Sequence, residues 1–158
     1  MKNMTLFSFP RGALGWLPDL NKWGETIRHL LKDDGFFYLF DSHPFFLMLN
    51  CDKLPENILE IQYPYFSKAP DIDDSIGGYA SEVKKGVQAY FWMYKVSDLI
   101  NALSTAGLHI AYFNEFEQNF FNAGGMDDVG GGLYHFSYNT GKFPMSFSLK
   151  ATVYGGRS

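Results

Sequence analysis

Two stretches of this 158-residue chain place polar or conformationally free residues where an α/β sheet does its chemistry. The first is the turn Arg11-Gly12-Ala13-Leu14-Gly15-Trp16, which follows the apolar stretch Leu6-Phe7-Ser8-Phe9. Its glycines fit either a loop that a ligand approaches or a turn chosen for backbone freedom, with Trp16 in the core. The second is Asp41-Ser42-His43-Pro44, which closes the nearly continuous apolar run Phe36 to Phe40. A carboxylate and an imidazole there stand at the carboxyl end of a buried strand, the end at which open α/β sheets bind ligands. Histidine can move a proton near neutral pH, although a His before Pro also serves as a structural loop residue. Tyr79, Tyr90, Trp92, Tyr134 and His135 are suited to lining a substrate cover, or to packing beneath a long loop.

Other chemistries find less support. Asp71, Asp73, Ser75 and Glu82 match positions 1, 3, 5 and 12 of a calcium loop, but position 6 is Ile76 where such a loop turns on glycine. The four histidines, at 29, 43, 109 and 135, are too scattered for a metal motif, so no metal site is expected. The single cysteine, Cys51, excludes an internal disulfide, and Lys53 is the one basic neighbour that would activate its thiol. A net charge of −4 without a basic run leaves no footprint for a nucleic acid. The longest unbroken apolar stretch, Pro44 to Leu49, is too short to cross a bilayer. With no secretory pattern at the N-terminus, a cytoplasmic protein without membrane association is expected.

The elements that must position these residues follow from periodicity. Leu20, Trp23, Ile27, Leu30 and Leu31 share one face of a helix that Pro18 and Asp19 open and Gly35 follows. Phe36 to Phe40 reads as a central strand buried on both faces. Residues 45–95 are punctuated by Pro55, Pro64, Pro70, an acidic patch and Gly77-Gly78, and read as a lid or insertion within one domain spanning 1–158. Ser97 can cap a helix carrying Leu99, Ile100, Leu103 and Ala106, which Gly107 stops. Leu108 to Phe116 has strand composition, and Asn122 to Gly132, with five glycines, reads as a mobile loop. Met145, Phe147, Leu149, Ala151 and Val153 alternate with Ser146, Ser148, Lys150 and Thr152, a strand with one wetter face. An apolar content of 46% supplies a sizeable core, and an aromatic content of 18% fits an aromatic-lined cavity or interface as well as a Phe-rich core.

Several of these pieces in order carry a resemblance. Trp16-Leu17-Pro18-Asp19-Leu20 to Trp23, Leu30-Leu31-Lys32-x-x-Gly35, and a strand ending in Asp41-x-His43-Pro44-Phe45 look like the fourth strand, following helix and fifth strand of class I S-adenosylmethionine-dependent methyltransferases. Gly78-Tyr79-Ala80, Tyr90-Phe91-Trp92, Ser97 to Leu103 with Ala106-Gly107-Leu108, and Phe143-Pro144-x-x-Phe147-Ser148-Leu149-Lys150-Ala151 are similar to a bacterial small-molecule subgroup of that family. The resemblance implies a partial Rossmann-like sheet of the fourth, fifth, seventh and sixth strands, the seventh antiparallel, with a long lid-like insertion. It implies S-adenosylmethionine as cofactor, contacted by Gly12, Ala13, Leu14 and Trp16. A small-molecule methyl acceptor would meet Asp41, His43, Tyr79, Trp92 and His135. The family's glycine loop after strand one and the acidic residue ending strand two have no counterpart here, so the isolated chain is expected not to bind the cofactor or act alone.

On this reading the chain is the substrate-side, C-terminal portion of a methyltransferase-like fold that works with a complementary N-terminal chain or as a homo-oligomer. Methyl transfer requires mainly alignment and desolvation, so the lack of a catalytic signature does not count against it. A second reading is a non-catalytic binding or assembly module that uses an exposed sheet edge. A third is a small α/β enzyme using the lid pocket without a cofactor.

Overall fold

The computed structural model describes residues 4–8, 12–73 and 88–153. In chain order its elements are β1 (Met4–Ser8), α1 (Leu20–Leu30), β2 (Leu31–Ser42), a single-turn α2 (Pro44–Leu47), β3 (Asp71–Asp73), β4 (Ala89–Phe91), α3 (Val96–Thr105), β5 (Leu108–Phe116), β6 (Asp127–Gly130), β7 (Leu133–His135) and β8 (Ser146–Val153). The main sheet has the order β1-β2-β8-β5. β1 runs parallel to β2, whereas β8 is antiparallel to both of its neighbours. The carboxyl ends of β1, β2 and β5 therefore open on the same rim of an α/β sheet of mixed direction.

The first helix forms as its periodicity predicts. Asp19 caps it, its Oδ1 accepting from the amides of Asn21 at 3.0 Å and Lys22 at 3.1 Å. Leu20, Trp23 and Ile27 are buried, and the Trp23 ring meets Phe37 edge-on at 5.5 Å. The helix stops earlier than expected: Leu31 already has extended backbone and opens β2, leaving Gly35 inside the strand. Residues 32–34 are exposed there, and the pairing with β1 shifts between Met4↔Leu31 and Leu6↔Phe36.

β2 is central, but it is not deeply buried on both faces. Phe37 and Leu39 are fully buried beneath α1 and α3, while Phe36, Tyr38 and Phe40 on the other face are half-buried. The final strand departs from expectation in the opposite sense. Its polar face is not wet at the leading end, because Ser146 and Ser148 are buried, with the Ser146 hydroxyl donating to the Gln118 carbonyl at 2.6 Å. One hydroxyl with a local acceptor makes that burial tolerable.

α3 is capped at Lys95 rather than Ser97: the Asp98 carboxylate accepts from the Lys95 amide at 3.1 Å and from its ammonium at 2.8 Å. Gly107, at φ +83°, stops the helix as expected and delivers the chain directly into β5. The stretch read as a mobile loop, Asn122 to Gly132, contains strand β6 and the turn that leads into β7, the two strands pairing from Asp127↔His135 to Gly130↔Leu133. Asn122 to Gly132 holds many glycines because its turns run through positive φ at Gly124, Gly125 and Gly130 to Gly132. Residues 45–95 contribute Phe46, Met48, Leu49, Leu54 and Met93 to a second apolar cluster, which they share with Met126, Phe136, Phe143 and Met145. The acidic patch beyond Asp73, Gly77-Gly78 and Tyr79 lie outside the described residues.

Candidate functional site

The rim where β1 and β2 end carries the most developed site. Asp41 is the next-to-last residue of β2 and stands opposite Phe147 in register, which puts it on the face covered by α1 and α3. It is 4% exposed, and its Oδ1 accepts from the Gly12 amide at 2.8 Å and the Ser42 amide at 2.7 Å. Burial pushes its carboxyl above the ordinary carboxylate range, against the lowering effect of those amides and of the Leu14 amide. Oδ2 is buried without a hydrogen-bond partner among the described residues. Asp41 thus fastens the turn after β1 to the end of β2, with Gly12 at φ +74° supplying the backbone that folds the turn back.

From Ala13 the turn becomes a short 3-10 segment, Leu14 to Trp16, with the Trp16 amide donating to the Ala13 carbonyl at 3.2 Å. The segment from Phe91 to Tyr94 clasps it. The Trp92 amide donates to the Gly15 carbonyl at 2.7 Å, and the Tyr94 hydroxyl donates to the Leu17 carbonyl. Burial, helped by the charges of Asp19 and Asp98, pushes the Tyr94 phenol up to about 12, so it remains a donor. The Phe91 ring lies so close to Gly15 that a Cβ there would stand 2.2 Å from its carbons. Between the clasp and the sheet lies a cavity of about 200 Å³, lined among others by Gly12, Leu14, Asp41, Trp92, Tyr94 and Phe147. A neighbouring cavity of about 260 Å³ shares Leu47 and Phe91 with it and includes Trp16 and Met93.

The structure therefore brings Gly12, Leu14, Asp41 and Trp92 together around one cavity. Ala13 supplies the turn's backbone, and Trp16 is 49% exposed rather than in the core, its ring edge-on to Phe91 at 5.3 Å. His43 and His135 do not line either cavity. His43 is buried as the cap of α2: its Nδ1 accepts from the Phe45 amide at 3.0 Å, and Nε2 lies 2.9 Å from Glu115 Oε1 on β5. Burial lowers its pKa more than Glu115 raises it. With Nδ1 occupied, His43 ties two strand ends together and is not placed to take a proton from a ligand in the cavity. His135 belongs to β7, where its Nε2 is buried without a partner among the described residues. Tyr134 is bridged to Asn119 by two backbone hydrogen bonds of 2.8 Å, and Tyr90 is exposed beside Trp92. Tyr79 lies outside the described residues.

Phe91, Tyr94, Phe121 and Ser42 line the same cavity without having been singled out as its walls. The Tyr90-Phe91-Trp92 run was the available signal for Phe91; Tyr94 and Phe121 had none beyond their aromatic character. Among the described residues no three His, Cys, Asp or Glu side chains converge as metal ligands, and no helix is long and apolar enough to cross a membrane. Cys51 is half-buried, its thiol pushed up by burial and by Asp52.

No protein-family model and no curated protein matches this chain. Solved structures do. A protein of Listeria monocytogenes described as an S-adenosylmethionine-dependent methyltransferase is 16% identical with a TM-score of 0.57, over 96% of this chain and 62% of that one. S-adenosylmethionine-dependent methyltransferases from Mesorhizobium loti and Clostridium acetobutylicum are 17% and 13% identical, with TM-scores of 0.49 and 0.47, covering 95% and 96% of this chain and 62% and 58% of theirs. The chain spans about three fifths of the length of these structures. In fold, it is similar over that span to an S-adenosylmethionine-dependent methyltransferase.

Proposed function

We propose that this chain is the substrate-side portion of an S-adenosylmethionine-dependent small-molecule methyltransferase. β1, β2, β8 and β5 would correspond to the fourth, fifth, seventh and sixth strands of the class I sheet, and residues 45–95 to a cover over the acceptor. The observation that carries this reading is the Asp41 cavity. It opens at the carboxyl ends of two adjacent parallel strands, and residues of the insertion close one side of it. A cofactor would supply an electrophilic methyl group. Gly12, Ala13 and Leu14 would border it through their backbone, and Asp41 would hold their turn in place. At about 200 Å³ the cavity is smaller than the roughly 300–1,000 Å³ of ordinary ligand pockets. It therefore suits an acceptor and the methyl-bearing end of a cofactor, and the adenosine would be held by a complementary portion. The walls Phe91, Trp92 and Tyr94 would shield the bound groups from water, which is the contribution methyl transfer asks of its protein.

The test is titration of the isolated chain with S-adenosylhomocysteine, followed through backbone amide resonances. Millimolar binding with shifts concentrated at Gly12 to Leu14, Ser42 and Trp92 is expected. Shifts confined elsewhere, or no shifts at all, would remove the site. A micromolar one-to-one isotherm would overturn the partial character of the fold. A second reading, a non-catalytic assembly module, is favoured by β1, whose outer edge has no strand partner among the described residues.

A further inference from the structure

The walls of the Asp41 cavity are unusually one-sided in their chemistry. Among the described residues, aromatic rings of Phe91, Trp92, Tyr94, Phe121 and Phe147 line it together with a single carboxylate, and no Lys, Arg or His side chain does. Aromatic faces carry negative quadrupolar charge and attract cations. A buried carboxylate needs either a positive charge or hydrogen-bond donors; Asp41 Oδ1 accepts two amides and the Leu14 amide also favours the charged carboxylate, but Oδ2 has no hydrogen-bond partner among the described residues. The carboxylate and the aromatic rings among the described lining residues thus both favour a positive ligand.

We infer that this cavity takes a small primary or secondary ammonium, whose N–H donates to Asp41 Oδ2 while its carbon skeleton rests among the aromatic rings. A sulfonium or quaternary ammonium would satisfy the rings but not the oxygen, because neither has an N–H to give. Size agrees: an apolar cavity of about 150 Å³ holds a benzene ring, so about 200 Å³ accommodates a ring or short chain bearing an amino group. That this amine is the methyl acceptor rests on the methyltransferase reading; that the cavity binds it does not.

The experiment titrates the chain with benzylamine, benzyl alcohol and benzyltrimethylammonium at neutral pH, reading the Trp92 indole and backbone resonances. Benzylamine is expected to bind about tenfold or more tightly than the neutral alcohol, as a charge-assisted hydrogen bond requires. The quaternary ion should fall between the two. In Asp41→Asn the benzylamine affinity drops about tenfold while that of the alcohol holds. Equal affinity for amine and alcohol, a quaternary ion that binds as well as the amine, or no binding of any of the three overturns the inference. The ligand comparison is made on the unaltered chain, so it decides even where Asp41→Asn does not fold. Amine binding without any S-adenosylhomocysteine shift at Gly12 to Leu14 leaves the ammonium site standing and removes methyl transfer; the reverse outcome removes the ammonium and keeps the cofactor.

Discussion

His43 shows how one residue type supports two readings that only geometry separates. Its place at the end of an apolar strand, two residues beyond Asp41, fits a pocket residue and a structural cap equally well. In the fold its Nδ1 takes the Phe45 amide and its Nε2 faces Glu115, which spends both nitrogens on local structure. Asp41 was recognisable for a simpler reason, since a carboxylate ending a buried strand of an α/β sheet points to the ligand rim. What it holds was not visible, because Gly12 lies 29 residues away in the chain. The pKa of His43 gives a direct test. Burial sets its folded pKa below the ordinary 6.5, so the folded state binds fewer protons than the unfolded state between those values. Stability contributed by neutral His43 is complete above about pH 6.5 and is lost as pH falls through the folded pKa. His43→Asn keeps an acceptor for the cap but cannot titrate. Urea midpoints measured from about pH 7.5 to about pH 5 should fall more steeply in the native chain than in this variant; parallel curves would place the acid response on other groups.

At the scale of elements, local pattern was a good guide wherever a single periodicity ruled. α1, β5 and β8 lie close to where their spacing puts them, because one face of each packs on the same apolar cluster. Boundaries and pairings set by distant contacts were not readable: the early end of α1 at Leu31, the cap of α3 at Lys95, and the hairpin at 127–135. The clasp of residues 91–94 on the turn after β1 belongs to this second kind, and it forms the wall between the two cavities. Gly15 does not have positive φ, so an alanine there meets no backbone objection, only the Phe91 ring. Gly15→Ala should destabilise the chain by about 1–3 kcal/mol through overpacking. Combining it with Phe91→Leu should cost less than the sum of the two single changes. Denaturant unfolding of the four proteins of that cycle checks this, and strict additivity would show that the ring and the glycine do not meet.

The molecule as a whole presents a sheet with two different edges, and their difference decides how it would associate. β5 is the outer strand on one side, with Glu115 on it and an irregularity in its pairing between Ile110 and Tyr112. Charge and bulges are the features that keep an edge from recruiting another strand. β1, on the other side, reads Met4-Thr5-Leu6-Phe7-Ser8, without a charge, and pairs only with β2 among the described residues. An uncharged edge of this kind is a template for strand addition, either from a second copy or from a chain carrying the complementary part of the sheet. The isolated chain is therefore expected to form dimers through β1. Light scattering after size exclusion should give a mass twice that of one chain, decreasing on dilution. Phe7→Pro, which removes a strand donor, should yield monomers that retain the native circular dichroism, whereas Tyr112→Pro on the β5 edge should leave the dimer in place. A native chain that stays monomeric at every concentration, or a folded Phe7→Pro variant that still dimerises, would rule out association through this edge. The assembly reading would then lose its support, and a complementary chain would have to engage the fold at another surface.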